Sequence, residues 1–191
     1  RVYVHQPNGF SLDGWLQGLK EGRSFVTNGP MLMAKVSGRE AGHQFSSAKP
    51  FSLEVSGLCV SNQAVDFIEI IQNGKLVEQI VPKSANDLLD LYSTSFRKRV
   101  TFRESGWVIV RCQQEYPQGR LKFAHSAPWY VNIADQPVRP RQEEVDYLIG
   151  RLEYEIARNR SILSESALAE FESALTIYKE IAKRAKPNPN K

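Results

Sequence analysis

Between Met31 and Ile133 the apolar residues recur at a spacing of two, in short runs broken by turn signals. That repeat is the strongest restriction on what the chain can fold into. Phe51, Leu53 and Val55 alternate with polar residues over Phe51–Ser56, as in a strand with one face on a core. Met31–Val36 precedes it, and a Gly/Ser-rich loop joins the two. Val65–Gln72 is more continuously apolar, the pattern of a central strand, and Asn73-Gly74 connects it to Leu76–Val81. Asn-Gly between two such runs suits a two-residue hairpin, because both turn residues need positive φ. Residues 82–92 form a longer connection, with a helical turn expected around Asp87–Leu91. Strands resume at Thr94–Phe102, Gly106–Cys112 and Leu121–Ile133. In the first of these Lys98 shares a face with Phe96, Val100 and Phe102, so it must snorkel or sit near an edge. About seven or eight short strands with one long connection between the fourth and fifth predict an immunoglobulin-like antiparallel β-sandwich.

The period is different at both ends. Ser11 can cap a short helix whose Leu12, Trp15, Leu16 and Leu19 form one apolar stripe, and Gly22 is its natural stop. Ser24–Val26 favours a strand, and Asn28-Gly29-Pro30 forces a turn before the next run. After Pro137 and Pro140 the spacing becomes 3.6. Val145, Leu148, Ile149, Leu152 and Ile156 form one stripe, and Leu168, Phe171, Leu175, Tyr178 and Ile181 another. A turn at Asn159–Ser164 predicts an α-helical hairpin. The expected organisation is an exit segment and linker helix over 1–22, the sandwich over 23–136, the hairpin over 137–186 and a frayed tail over 187–191.

Composition narrows the function classes. With 41% hydrophobic and 24% charged residues the chain reads as an ordinary globular protein. Its net charge of +4 is spread out, with clusters at Arg97-Lys98-Arg99 and near the C-terminus. Neither forms the basic stripe with interleaved aromatics that nucleic-acid binding wants, so no nucleic-acid partner is expected. No run approaches the ~20 apolar residues of a membrane span, and no membrane partner is expected either. The opening Arg1-Val2-Tyr3-Val4 reads as the interior of a strand without an initiator Met, as in a piece of a longer protein.

Residues with reactive side chains are sparse. His5, His43 and His125 stand in no metal-ligand spacing, and His43 reads as part of a solvated loop. Cys59 and Cys112 fall near strands that face each other in such a sandwich. They are read as two free buried thiols, because no Trp lies on the intervening strand to complete the usual disulfide signature. The acidic runs around Glu143 and Glu170 read as solvated helix faces. Phe123-Ala124-His125-Ser126-Ala127-Pro128-Trp129-Tyr130 has two readings. Either His125, Ser126 and the aromatics line a pocket, or Pro128 breaks an edge strand, Trp129 and Tyr130 cover opposite faces, and His125 bonds locally. No catalytic, cofactor-binding or metal residue is expected in this chain.

Trp15 through Pro30, with its Gly-Arg-Ser-Phe-Val-Thr-Asn-Gly-Pro core, resembles the linker region of the CehA/McbA-like branch of PHP-superfamily metallohydrolases. Ile70–Gly74, Ser105–Arg111 and Phe123–Val131 are similar to that family in the same order, so the resemblance covers roughly residues 1–133. The chain departs from it at Ser126-Ala127, where Thr more often follows the His, and at Trp129, where an aliphatic residue is usual. The resemblance implies that the divalent metal and its ligands belong to an N-terminal PHP domain preceding Arg1, and that this chain is a non-catalytic accessory region partnered with that domain. Arg23, Thr27, Asn28, Arg111, His125, Ser126 and Trp129 are then candidate interdomain or ligand contacts. Two other classes stay open. One is a glycan-binding module using Trp107, Tyr116, Trp129 and Tyr130, and the other is a homo-oligomerising unit using the helical hairpin.

Overall fold

The computed structural model describes residues 1–82, 85–86, 91–116 and 119–187. Two compact units divide at Pro137/Val138. The first is a two-sheet β-sandwich. Its elements are β1 (Val2–Val4), α1 (Leu12–Lys20), β2 (Ser24–Thr27), β3 (Met31–Val36), β4 (Gln44–Ser47), β5 (Phe51–Ser61), β6 (Phe67–Gln72), β7 (Lys75–Ile80), β8 (Ala85–Asn86), β9 (Tyr92–Phe102), β10 (Gly106–Tyr116), β11 (Arg120–Ser126) and β12 (Trp129–Ile133). The chain is mainly β, as the period-two pattern predicts.

One sheet has the order β3-β5-β9-β8, antiparallel throughout. The other runs β1-β2-β11-β10-β12-β4, with β6 on the second side of β10 and β7 beyond it. β11 and β12 are successive halves of one course along β10. Arg111–Tyr116 face His125–Arg120, and Gly106–Val108 face Val131–Trp129. Ala127 and Pro128 break that course where its outer neighbour changes from β2 to β4. Pro128 therefore interrupts an interior course and does not mark a sheet edge.

Alternation explains the core. On β10, Val108, Val110, Cys112 and Gln114 point between the sheets, and all are nearly inaccessible. They meet Leu53, Val55 and Cys59 of β5, Leu32 of β3, Phe96 and Phe102 of β9, and Trp129 of β12. Each fully buried aliphatic or aromatic side chain of this kind contributes about 1.5–3 kcal/mol. Lys98 shares the inward face of β9 yet is exposed, because it extends to Glu78 of β7 at 3.3 Å. It does snorkel, at the rim where the two sheets meet.

Two stretches differ from expectation. The Gly/Ser-rich connection contains β4, which pairs in parallel with β12. His43 is half-buried there, edge-on to Phe45 with ring centroids 4.6 Å apart, so it is not a solvated loop residue. The turn leaving α1 touches the chain just before β4. Gly42 has φ +83°, and a Cβ on it would fall on the Glu21 carbonyl, so only glycine fits. The helical turn expected around Asp87–Leu91 and the tail beyond Pro187 fall almost wholly outside the described residues.

The second unit is the helical hairpin, α2 (Gln142–Asn159) and α3 (Glu165–Ala182). Ser164 caps α3 by accepting from Ala167 N at 3.3 Å, and Lys179 of α3 reaches Glu153 of α2 at 3.0 Å. Val145 and Ile156 are its buried apolar side chains. Among the described residues no helix is long and apolar enough to cross a membrane.

Candidate functional site

The seven residues singled out from the sequence separate into three places. Thr27 and Asn28 are committed to the turn after β2. Thr27 Oγ1 donates to Pro30 O at 2.6 Å and accepts from Gly29 N at 2.9 Å. Asn28 acts as an extra rung between β2 and β11. Its Nδ2 donates to Leu121 O at 3.0 Å, and its Oδ1 accepts from Phe123 N at 2.6 Å. An Asn side chain presents both a donor and an acceptor, so it can imitate a strand's backbone here.

His125 and Arg111 belong to a row that crosses the larger sheet. Val2 stands opposite Val26, Val26 opposite His125, His125 opposite Arg111, and Arg111 opposite Glu69. Directly opposed residues share a face. Within the row the Arg111 guanidinium grips Glu69, with Nε donating to Oε2 at 2.7 Å and Nη2 to the same oxygen. Glu69 is buried, so the guanidinium is what makes its carboxylate tolerable there. His125 Nδ1 lies 2.7 Å from Ser126 O, the local bond that one reading of the segment anticipated. Val2 and Val26 are exposed at the β1–β2 end of the row.

Arg23, Ser126 and Trp129 line a cleft of about 430 Å³ at the open side of the sandwich, between β1–β2 and β3. Tyr3 stacks on Phe25 within it, with centroids 5.1 Å apart and planes 9° from parallel. The polar groups of the three residues are largely engaged. Ser126 Oγ accepts from Val110 N at 3.0 Å, and Trp129 Nε1 donates to Arg39 O at 2.9 Å. The Arg23 guanidinium pairs with Glu21, while its buried Nε has no partner among the described residues. Trp129 is fully buried and Tyr130 exposed, so the two do cover opposite faces. A buried Trp129 cannot stack on a sugar, which removes one of the aromatics that the glycan-binding reading relied on. The Tyr116 side chain lies outside the described residues.

α1 leaves most of its apolar side chains uncovered. Gly18 is its buried residue, where an added Cβ would come within 2.5 Å of Val4 Cγ1. The stripe read from the sequence faces away from that contact. Of that stripe Leu12 is 65% exposed, Leu16 51% and Leu19 40%, while Trp15 is half-buried; Phe10, just before the cap, is 82% exposed. An amphipathic period shows that such a stripe exists, but it does not say whether the rest of the chain covers it.

Deep between the sheets, Cys59 of β5 and Cys112 of β10 meet at an Sγ–Sγ distance of 3.4 Å, both as free thiols. Donating its proton to Cys112 and being buried both push the Cys59 thiol up, while accepting that proton lowers Cys112. Among the described residues no three His, Cys, Asp or Glu side chains gather in a way that could hold a metal ion.

No protein-family model matches the chain, and no curated protein matches it. Among solved structures, the CARDB domain of the PF1109 protein from Pyrococcus furiosus, determined in complex with di-metal ions, is similar over 56% of this chain and 96% of its own. The identity is 10% and the TM-score 0.28.

Proposed function

We propose that this chain is a non-catalytic accessory β-sandwich domain of a PHP-type metal-dependent hydrolase, seated on the catalytic domain through the α1 stripe. The observation that carries the docking role is the exposure of Leu12, Leu16 and Leu19 on one short helix, with Phe10 exposed just before its cap. Contiguous apolar surface of this kind marks an interaction site, and covering four such side chains would contribute several kcal/mol, at ~1.5 kcal/mol or more each. Thr27, Asn28, Ser126 and Trp129 spend their polar groups inside the sandwich, so the docking role falls to α1 and not to them. The PHP assignment rests on the sequence resemblance of residues 1–133. The divalent metal and the water it activates then belong to the neighbouring domain.

The test has two stages. The reading frame upstream of Arg1 should encode a PHP-type domain with its histidine and aspartate motifs, and a frame without them ends the hydrolase assignment. In that longer polypeptide, Leu12→Glu with Leu16→Glu should expose the junction to proteolysis and lower turnover. Unchanged cleavage and unchanged kinetics would remove α1 as the docking element.

A further inference from the structure

The two cysteines sit on the central strands of opposite sheets, and neither has more than 1% of its surface in contact with solvent. Their sulfurs already point at each other at 3.4 Å. An S–S bond of about 2.0 Å needs a further approach of roughly 1.4 Å. Within the sheets Cys112 stands between Ala124 and Ile68, and Cys59 between Leu32 and Thr94, so the approach is made across the core, along the direction in which the thiols already face each other. We propose that Cys59 and Cys112 form a latent cross-sheet disulfide, closed when the folding chain meets a small-molecule disulfide and left as two thiols when it does not.

The chemistry balances as two exchanges. A thiolate of the pair attacks one sulfur of the small-molecule disulfide, forms a mixed disulfide and expels one small thiolate. The second cysteine, once deprotonated, attacks the protein sulfur of that mixed disulfide and expels the other. The two protein thiols are oxidised by two electrons, the small disulfide is reduced to two thiols, and the two protons leave with them. Burial sets the timing. An oxidant cannot reach either sulfur in the closed sandwich, so closure belongs to folding or to a transient opening of the sheets. The residues joined are 53 apart in sequence, a long loop for the unfolded chain to lose. The oxidised form should therefore melt higher by roughly 10 °C.

The full chain should be refolded from denaturant in buffers of graded reduced-to-oxidised glutathione ratio, alkylated under denaturing conditions and weighed intact. A monomer lacking alkylatable thiols and about 2 Da lighter than the reduced chain is expected under oxidising ratios, with the raised melting temperature. Native protein given the same oxidant should convert far more slowly. In Cys59→Ala or Cys112→Ala the remaining thiol should stop at the glutathione adduct. The wild-type mass decides the matter even if neither variant folds. Two alkylatable thiols in folded protein at every ratio would overturn the proposal, as would disulfides found only between chains or an oxidised form melting below the reduced one.

Discussion

Arg111 holds Glu69 from across the β6–β10 ladder, and the two differ sharply in exposure. The guanidinium keeps 36% of its side-chain surface while the carboxylate keeps 8%. The pair is therefore half a surface salt bridge and half a buried charge. Removing the cation leaves an anion that water cannot fully reach. Arg111→Ala is expected to cost about 2–3 kcal/mol in urea denaturation, below the loss for a wholly buried pair. Replacing both residues with leucine should recover most of that loss. A double variant as unstable as the single one would show that the strands need the pair itself.

Asn28 supplies both a donor and an acceptor to β11. Asn28→Ala is expected to lose about 1–2 kcal/mol. Amide exchange at Phe123 should quicken, since its N–H would lose its acceptor. Asn28→Asp should be no better, because a carboxylate cannot donate to the Leu121 carbonyl.

Gly42 lies against the turn that leaves α1, with Glu21 C at 2.9 Å and Gly22 C at 3.1 Å from where a Cβ would stand. Gly42→Ala is expected to cost more than about 3 kcal/mol, combining left-handed strain with a backbone clash. Gly38→Ala is the control. Its φ of +77° is similar but nothing lies within 4 Å, so strain alone, about 1 kcal/mol, should appear. Equal losses at both sites would mean the contact between the turn and the chain before β4 carries no weight.

At the start of α2 the Arg141 guanidinium donates to Glu144, which also accepts from the Arg141 backbone N at 3.3 Å. The guanidinium bond holds the Glu144 carboxyl below its usual range. A folded value below the unfolded one means the stabilisation is present above the ordinary carboxylate pKa and is lost as pH falls through the lowered value. The first turn of α2 should fray over that acidic interval, followed by amide chemical shifts at Glu143–Val145. In Glu144→Gln the same turn should show no such transition.

Local chemistry was readable wherever one short stretch contained the whole cause. Asn73 and Gly74 both take positive φ in the β6–β7 turn, Ser11 caps α1, and Gly22 ends it left-handed. Where the cause lay in a neighbour, the reading stopped short. Gln44–Ser47 has one apolar residue and no strand pattern, yet β12 offers it a ladder and it pairs. β10 runs on through Gln113 and Gln114 to Tyr116 because β11 pairs with it all the way, while β6 pairs with it as far as Gln113. Glu69 reads as any strand carboxylate until Arg111 is placed beside it.

The candidate residues show the same limit. Trp129 and Tyr130 differ by one position, and alternation predicts that one is buried without saying which. The α1 stripe was visible as a period, but its exposure depended on Gly18 and not a leucine meeting Val4. The sequence by itself determined the periods, the caps and the turns, because those follow from bond geometry and from side chains a few positions apart. Only the tertiary structure decided which face each element turns inward, and that brought Cys59 to Cys112 and Arg111 to Glu69. Such meetings depend on packing between segments dozens of residues apart, which no local pattern encodes.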